Sequence, residues 1–338
     1  MTKLRATAAA AALSVATAGS AFAAPILEPT TQAFIDSLAG SPPIYTHTPA
    51  DARKVLLGAQ SSPIARPAAH IEDKVLPIGP TGQTRIRVLR PEGVEGALPV
   101  VIYFHGGGWV LGDAATHDRL VRELAVGANA VVVFVDYERS PEARYPVAIE
   151  QDYAVTTYVA AHAGEFGVDP TRLAIAGDSV GGNMAAVVSL MAKERRGPVI
   201  AAQVLFYPVT DASLSQHSYR EFAEGPWLTT KAMTWFWDAY LPDPAARKDR
   251  HVSPLNATLD QLKGLPPALV ITDENDVLRD EGEAYARKLT EAGVRVTATR
   301  YGGTIHDFVM LDPVADTPAA RGAVSQAVTF LRGSLATR

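Results

Sequence analysis

Three stretches of the sequence hold residues whose types and spacing suit nucleophilic catalysis. Gly177-Asp178-Ser179-Val180-Gly181 fits G-x-S-x-G. It follows an apolar run at 173–176 and precedes a helical pattern at 181–194, so the serine would sit on a sharp strand-to-helix turn. Small residues around such a turn let neighbouring backbone approach. The helix that follows points free N–H groups at a developing anion. His105-Gly106-Gly107-Gly108-Trp109 comes directly after the apolar run 100–104. Its glycines can present backbone N–H groups without side-chain obstruction. An oxyanion hole would then use the N–H groups of Gly107, Gly108 and Val180, with Gly106 shaping the turn. The competing use of these glycines, a dinucleotide loop, fails by one position. Gly106 and Gly108 fit G-x-G-x-x-G, but Leu111 stands where the third glycine belongs. His105 precedes the nucleophile in the chain, which suits a structural role.

A serine nucleophile on such a turn needs an acid and then a histidine later in the chain. After the apolar run 268–272 come Asp273, Glu274 and Asp276, with Asp280 slightly further on. After the run 294–300 comes Tyr301-Gly302-Gly303-Thr304-Ile305-His306-Asp307-Phe308. His306 is the only histidine beyond His251, so the choice of base is nearly forced. Position alone leaves the acid open among four carboxylates. The base must be neutral to act, so activity is expected to fall in acid, from an ordinary imidazole pKa of about 6.5 shifted by the acid partner.

These residues need a scaffold, and the pattern supplies one. Apolar runs stand at 100–104, 130–135, 173–176, 201–207, 268–272 and 294–300, and most are short, β-branched and nearly continuous, as in strands buried on both faces. A run at 85–89 alternates and is expected as a strand on the sheet edge. Helical patterns at 117–126, 147–161, 181–194, 281–292 and 319–331 lie between or after the runs. Such alternation predicts a mostly parallel α/β sheet with helices on both faces. Two regions break it. Residues 24–79 carry short helical patterns punctuated by prolines. Residues 211–265 make a connection far longer than usual and hold Tyr219, Phe222, Trp227, Trp235, Phe236, Trp237 and Tyr240. These aromatics would either line a substrate pocket or form the segment's own core. Trp227 is the preferred pocket candidate because it follows Gly225-Pro226 in an expected loop, with Phe222 and Tyr219 behind it.

Composition removes other classes of function. The chain has 338 residues, 47% of them hydrophobic, with 31 Lys plus Arg against 36 Asp plus Glu. The net charge of −5 gives no basic excess for nucleic acid. There is no cysteine, so disulfides, thiolate metal sites and a cysteine nucleophile are excluded. No H-E-x-x-H and no phosphate loop occur, and neither a cofactor nor a metal is expected. The N-terminus reads as an export signal over residues 1–23. Lys3 and Arg5 open it, a small-residue apolar stretch follows, and Ala21-Phe22-Ala23 offers a cleavage site before Ala24. A periplasmic or extracellular protein with no stable membrane anchor would result.

Together these residues resemble the hormone-sensitive-lipase-like family of α/β-hydrolases, the bacterial esterases with a GDSAG-type turn. Four blocks carry the resemblance: HGGGW at 105–109, GDSVGG at 177–182, DVLRDEG at 276–282 and IHDF at 305–308. A fifth, D-Y-x-x-x-P-E, starts at Asp136-Tyr137 and ends at Pro141-Glu142. The resemblance runs from about Leu76 to the C-terminus. It implies the α/β-hydrolase fold with a helical cap, built from an N-terminal segment (24–75) and an insertion (about 211–265) in a catalytic domain of residues 76–338. It implies Asp276 as the acid, with Asp280 as a supporting residue. It also implies hydrolysis of small-molecule carboxylic esters, with short to medium acyl chains, through an acyl-enzyme. Val180 stands where the family usually has Ala, and its larger side chain is expected to crowd the site. Val277 replaces a common Pro. An amidase or peptidase on the same triad is the alternative. A non-catalytic small-molecule receptor on this fold would lack the catalytic histidine, and His306 is present.

Overall fold

The computed structural model describes residues 24–336, so the expected export signal lies outside the described residues. Eight strands form one sheet: β1 (Ala69–Leu76), β2 (Thr84–Pro91), β3 (Leu98–Phe104), β4 (Val131–Asp136), β5 (Val168–Asp178), β6 (Ala202–Phe206), β7 (Ala268–Asn275) and β8 (Val296–Ile305). Their order is β1-β2-β4-β3-β5-β6-β7-β8. β2 pairs antiparallel with both β1 and β4, and the remaining neighbours are parallel. Every residue of β3 is buried, as is all but the last of β4, which explains their unbroken apolar sequences.

The helices are α1 (Pro29–Ser37), α2 (Pro49–Ala59), α3 (Asp118–Ala128), α4 (Val147–Ala161), α5 (Ala163–Phe166), α6 (Val180–Glu194), α7 (His217–Glu221), α8 (Thr230–Tyr240), α9 (Leu259–Leu262), α10 (Arg279–Glu291) and α11 (Pro318–Ser334). α6 packs on β5 and β6, and α10 packs on β7. All but the last two residues of α6 are buried, so small and aliphatic side chains fill it. Among the described residues no helix is long and apolar enough to cross a membrane.

Two expectations need correction. The strand at 84–91 is not the sheet edge, because β1 pairs outside it. β1 itself falls in a region expected to be helical. Its burial pattern is weak, since it pairs with β2 through polar contacts such as the Arg87–Asp73 ion pair at 2.7 Å. A strand held that way carries no hydrophobic period.

Candidate active site

The serine, the histidine and one carboxylate meet at the C-terminal ends of β5, β7 and β8. Ser179 occupies the turn between β5 and α6 with φ 55° and ψ −119°. That conformation is unfavourable for a non-glycine residue and persists only when the surroundings hold it. Ser179 N–H donates to Phe206 O at 2.9 Å, which ties the turn to the end of β6. Gly181 is required here, because a Cβ would run into Phe104 O of β3.

His306 directly follows β8. Its Nδ1–H donates to Asp276 Oδ2 at 2.8 Å, and Ser179 Oγ–H donates to its Nε2 at 2.9 Å. The carboxylate can only accept, so the proton belongs on Nδ1, leaving Nε2 to accept from the serine. Asp276 Oδ1 takes Leu278 N–H at 3.0 Å, which fixes the carboxylate. Of the four acid candidates, Asp276 alone bonds His306. Asp280 lies elsewhere: it accepts from Ser218 N–H at 2.9 Å and pairs with Arg279, joining α7 to the start of α10. Burial works against the His306 imidazolium, but the carboxylates of Asp276 and Asp307 outweigh it and hold the imidazole pKa above its usual value. This arrangement can activate the serine hydroxyl as a nucleophile and stabilise the imidazolium that forms.

The glycine loop stands beside this chain. Gly107 and Gly108 line the same cavity as Ser179 and His306. Among the described residues, the N–H groups of Gly107, Gly108 and Val180 have no hydrogen-bond acceptor. Gly106 N–H does have one, Asp178 Oδ1 at 3.0 Å, so it shapes the loop rather than facing the cavity. Gly108 has φ +62°, and a Cβ there would meet the Phe236 ring. Val180 is fully buried and absent from the cavity wall, so its side chain does not crowd the site.

Two clusters that the motifs did not reveal hold this loop. Below it, the fully buried Asp178 carboxylate accepts from Gly106 N–H, from Tyr103 OH at 2.7 Å and from His117 Nε2 at 3.2 Å. Burial opposes the charge on both partners of the Asp178–His117 pair. Their mutual attraction wins, holding the Asp178 carboxyl below and the His117 imidazole above their usual ranges. Above the loop, Trp109 stacks on Tyr240 of α8 with ring centroids 4.1 Å apart and touches Trp237 at 4.6 Å. His105 is structural. It stacks on Tyr137 at 4.0 Å, and burial pushes its imidazole down to about 4, with help from the neighbouring His117.

The cavity over Ser179 measures about 320 Å³ and is mostly apolar. Both irregular regions line it: Leu38, Ile44, Tyr45 and Val55 from the N-terminal one, and Trp227, Met233 and Phe236 from the long connection. Arg53 of α2 holds the N-terminal region down, pairing twice with Glu142 and donating to Val110 O and Ser140 O. Of the three aromatics expected to contact substrate, Trp227 lines the cavity and the other two do not. Tyr219 is 2% exposed and Phe222 5% exposed, on the side of the segment that packs against α10, with Phe222 under the Arg279 guanidinium. Phe236, which does line the cavity, sits on α8 where helical spacing made it look like core. Asp273, Asp276 and His306 bring three potential ligand atoms within 4.8 Å of one another. The Asp276–His306 hydrogen bond would have to break before these atoms could hold an ion.

Residues 101–310 match a family described as alpha/beta hydrolase fold. Carboxylesterase NlhH of Mycobacterium tuberculosis is 38% identical over 321 residues, 93% of this chain and 98% of that protein. The carboxylic ester hydrolase LipN of the same organism is 39% identical over 279 residues, 80% of this chain and 72% of its own. A thermostable esterase from Pseudomonas putida, solved as a crystal structure, superposes with a TM-score of 0.91 at 52% identity, covering 94% of this chain and 100% of that one.

Proposed function

The chain belongs to the hormone-sensitive-lipase-like esterases of the α/β-hydrolase fold, and from that premise we propose how this serine carboxylesterase carries out its reaction. Ser179 attacks the acyl carbonyl of a small-molecule ester while His306 Nε2 takes its proton. Asp276 holds the imidazole in the correct tautomer and stabilises its charge. The N–H groups of Gly107, Gly108 and Val180 receive the oxyanion, and losing one such donor costs about 3–4 kcal/mol of transition-state stabilisation. His306 then gives the proton to the leaving alcohol, and water releases the acyl group by the same route.

One observation carries this reading: the unbroken hydrogen-bond chain Ser179–His306–Asp276 opens onto an apolar cavity flanked by unpaired backbone donors. The cavity volume of about 320 Å³ favours short to medium acyl chains. An organophosphate label followed by mass spectrometry tests the assignment. The label is expected on Ser179 and absent from Ser179→Ala, and a label elsewhere refutes it. Export is proposed from the first 23 residues alone. Sequencing the N-terminus of the mature protein checks it, and a chain still beginning at Met1 refutes it.

A further inference from the structure

Trp227 lies in the loop between α7 and α8 and borders two spaces. One is the cavity over Ser179. The other is a more open groove of about 530 Å³ along α1 and α2, lined by Phe34, Ser37, Gly58 and Ala59 among others. Leu38, Val55 and Trp227 line both, so they form the wall between them. Leu38 and Val55 are aliphatic and have no polar anchor. Trp227 is held twice. Its ring meets Phe34 with centroids 5.5 Å apart, and its Nε1–H donates to Asp307 Oδ2 at 2.9 Å. Asp307 is itself fixed, with φ +68° in the turn after His306, and its other oxygen lies 3.4 Å from His306 Nε2.

We propose that Trp227 sets the length of substrate chain the cavity accepts, as a wall anchored on Asp307. The proposal rests on the esterase reading and narrows it to esters whose chain ends at the indole. A longer chain must displace the ring, and this breaks a hydrogen bond to a carboxylate that is stronger than a neutral one. Removing the ring joins the cavity to the groove. Each further methylene is then buried, worth up to about fourfold in kcat/KM.

The test uses the full chain with two substrate series, p-nitrophenyl esters of rising acyl length and acetates of rising alcohol length. Trp227→Ala and the milder Trp227→Leu are expected to raise the C8-to-C4 ratio of kcat/KM at least about tenfold in one series, mainly through KM. Asp307→Asn still accepts the indole N–H, through a weaker neutral bond, and raises the ratio less than Asp307→Ala does. Asp307→Ala releases the indole and raises the ratio, whatever happens to kcat. Organophosphate titration of Ser179 runs alongside. A wild-type protein that takes no label overturns the esterase reading. Labelled Trp227 variants with unchanged ratios in both series overturn the wall, and equal ratios in Asp307→Asn and Asp307→Ala overturn its anchor.

Discussion

The buried Asp178 carboxylate is the point where the catalytic turn and the glycine loop are joined, and Asp178→Asn measures that joint. Three donors converge on it: Gly106 N–H, Tyr103 OH and His117 Nε2. The amide oxygen of Asn can serve only part of this set, and its NH2 adds a donor where donors already crowd. One buried donor left unpaired costs about 1–3 kcal/mol. Breaking a buried ion pair from one side costs about 3–5 kcal/mol, less here because His117 can shed its proton. A net loss of about 2–4 kcal/mol fits within the 5–15 kcal/mol of an ordinary domain, so the variant should fold. Catalysis should suffer more selectively. Gly106 leads directly into Gly107 and Gly108, and full loss of one oxyanion donor is worth about a hundred- to thousandfold in rate. A slackened loop is therefore expected to lower kcat about ten- to hundredfold on p-nitrophenyl butyrate, with KM little changed, because the lost contact acts on the transition state. The ion pair also gives a pH signature. Asp178 has a depressed pKa, so its contribution to stability disappears as pH falls through that value. His117 has a raised pKa, so its contribution disappears as pH rises through that one. Between the ordinary values of about 3.9 and 6.5 both contributions are complete. The gap in thermal stability between wild type and Asp178→Asn should be widest there and shrink on either side. A folded Asp178→Asn protein with wild-type kcat would refute the joint.

Two further outcomes follow from the same geometry. His306 is held above its ordinary pKa of about 6.5, so the acid limb of kcat/KM should lie above that value. Asp307→Asn removes one of the responsible charges and should move the limb to lower pH, and an unmoved limb would contradict the 3.4 Å contact. Arg53→Ala loses the paired bonds to Glu142 and those to Val110 O and Ser140 O. It should lower stability by about 1–3 kcal/mol and expose residues 29–59 to limited proteolysis ahead of the rest; an unchanged cleavage pattern would show that Arg53 is not the anchor.

What the sequence revealed and what it hid divide along a physical line. Ser179, Gly107 and Gly108 could be read because each sits in a short motif directly after a buried strand end, and buried strands announce themselves as apolar runs; His306 follows the outer strand β8, buried only at its last two residues, and could be read because it is the one histidine late in the chain. β1 could not, because an edge strand paired through Arg87 and Asp73 has no apolar face to repeat. Trp227 could be picked out because it follows Gly225-Pro226 in a loop, whereas Tyr219, Phe222 and Phe236 carry no such mark. Only packing puts Phe236 on the cavity and leaves the other two away from it. Asp178, Asp307 and Trp109 stood inside the quoted motifs, yet their work depends on partners far away in the chain: Tyr103, Trp227 and Tyr240. No local pattern encodes those pairings.

The charge balance around His306 explains how three carboxylates can share one imidazole without disabling it. Asp273 is fully buried beside Asp276, and burial together with that neighbouring carboxylate pushes its pKa well up, which favours its neutral form. Asp276 and Asp307 then lie one near each ring nitrogen; burial raises the Asp307 pKa and the His306 charge lowers it, burial being the larger effect. Their distances rank them: Asp276 at 2.8 Å from Nδ1, and on Nε2 the Ser179 hydroxyl at 2.9 Å against Asp307 at 3.4 Å. A contact of 3.4 Å is too long to compete for the proton, yet close enough to favour the imidazolium by Coulomb attraction. Asp307 therefore adds to the stabilisation of the charged base without diverting Nε2 from the serine. Its other oxygen accepts from Trp227 Nε1–H at 2.9 Å, so one hydrogen bond joins the residue that bounds the substrate cavity to the second carboxylate beside the base.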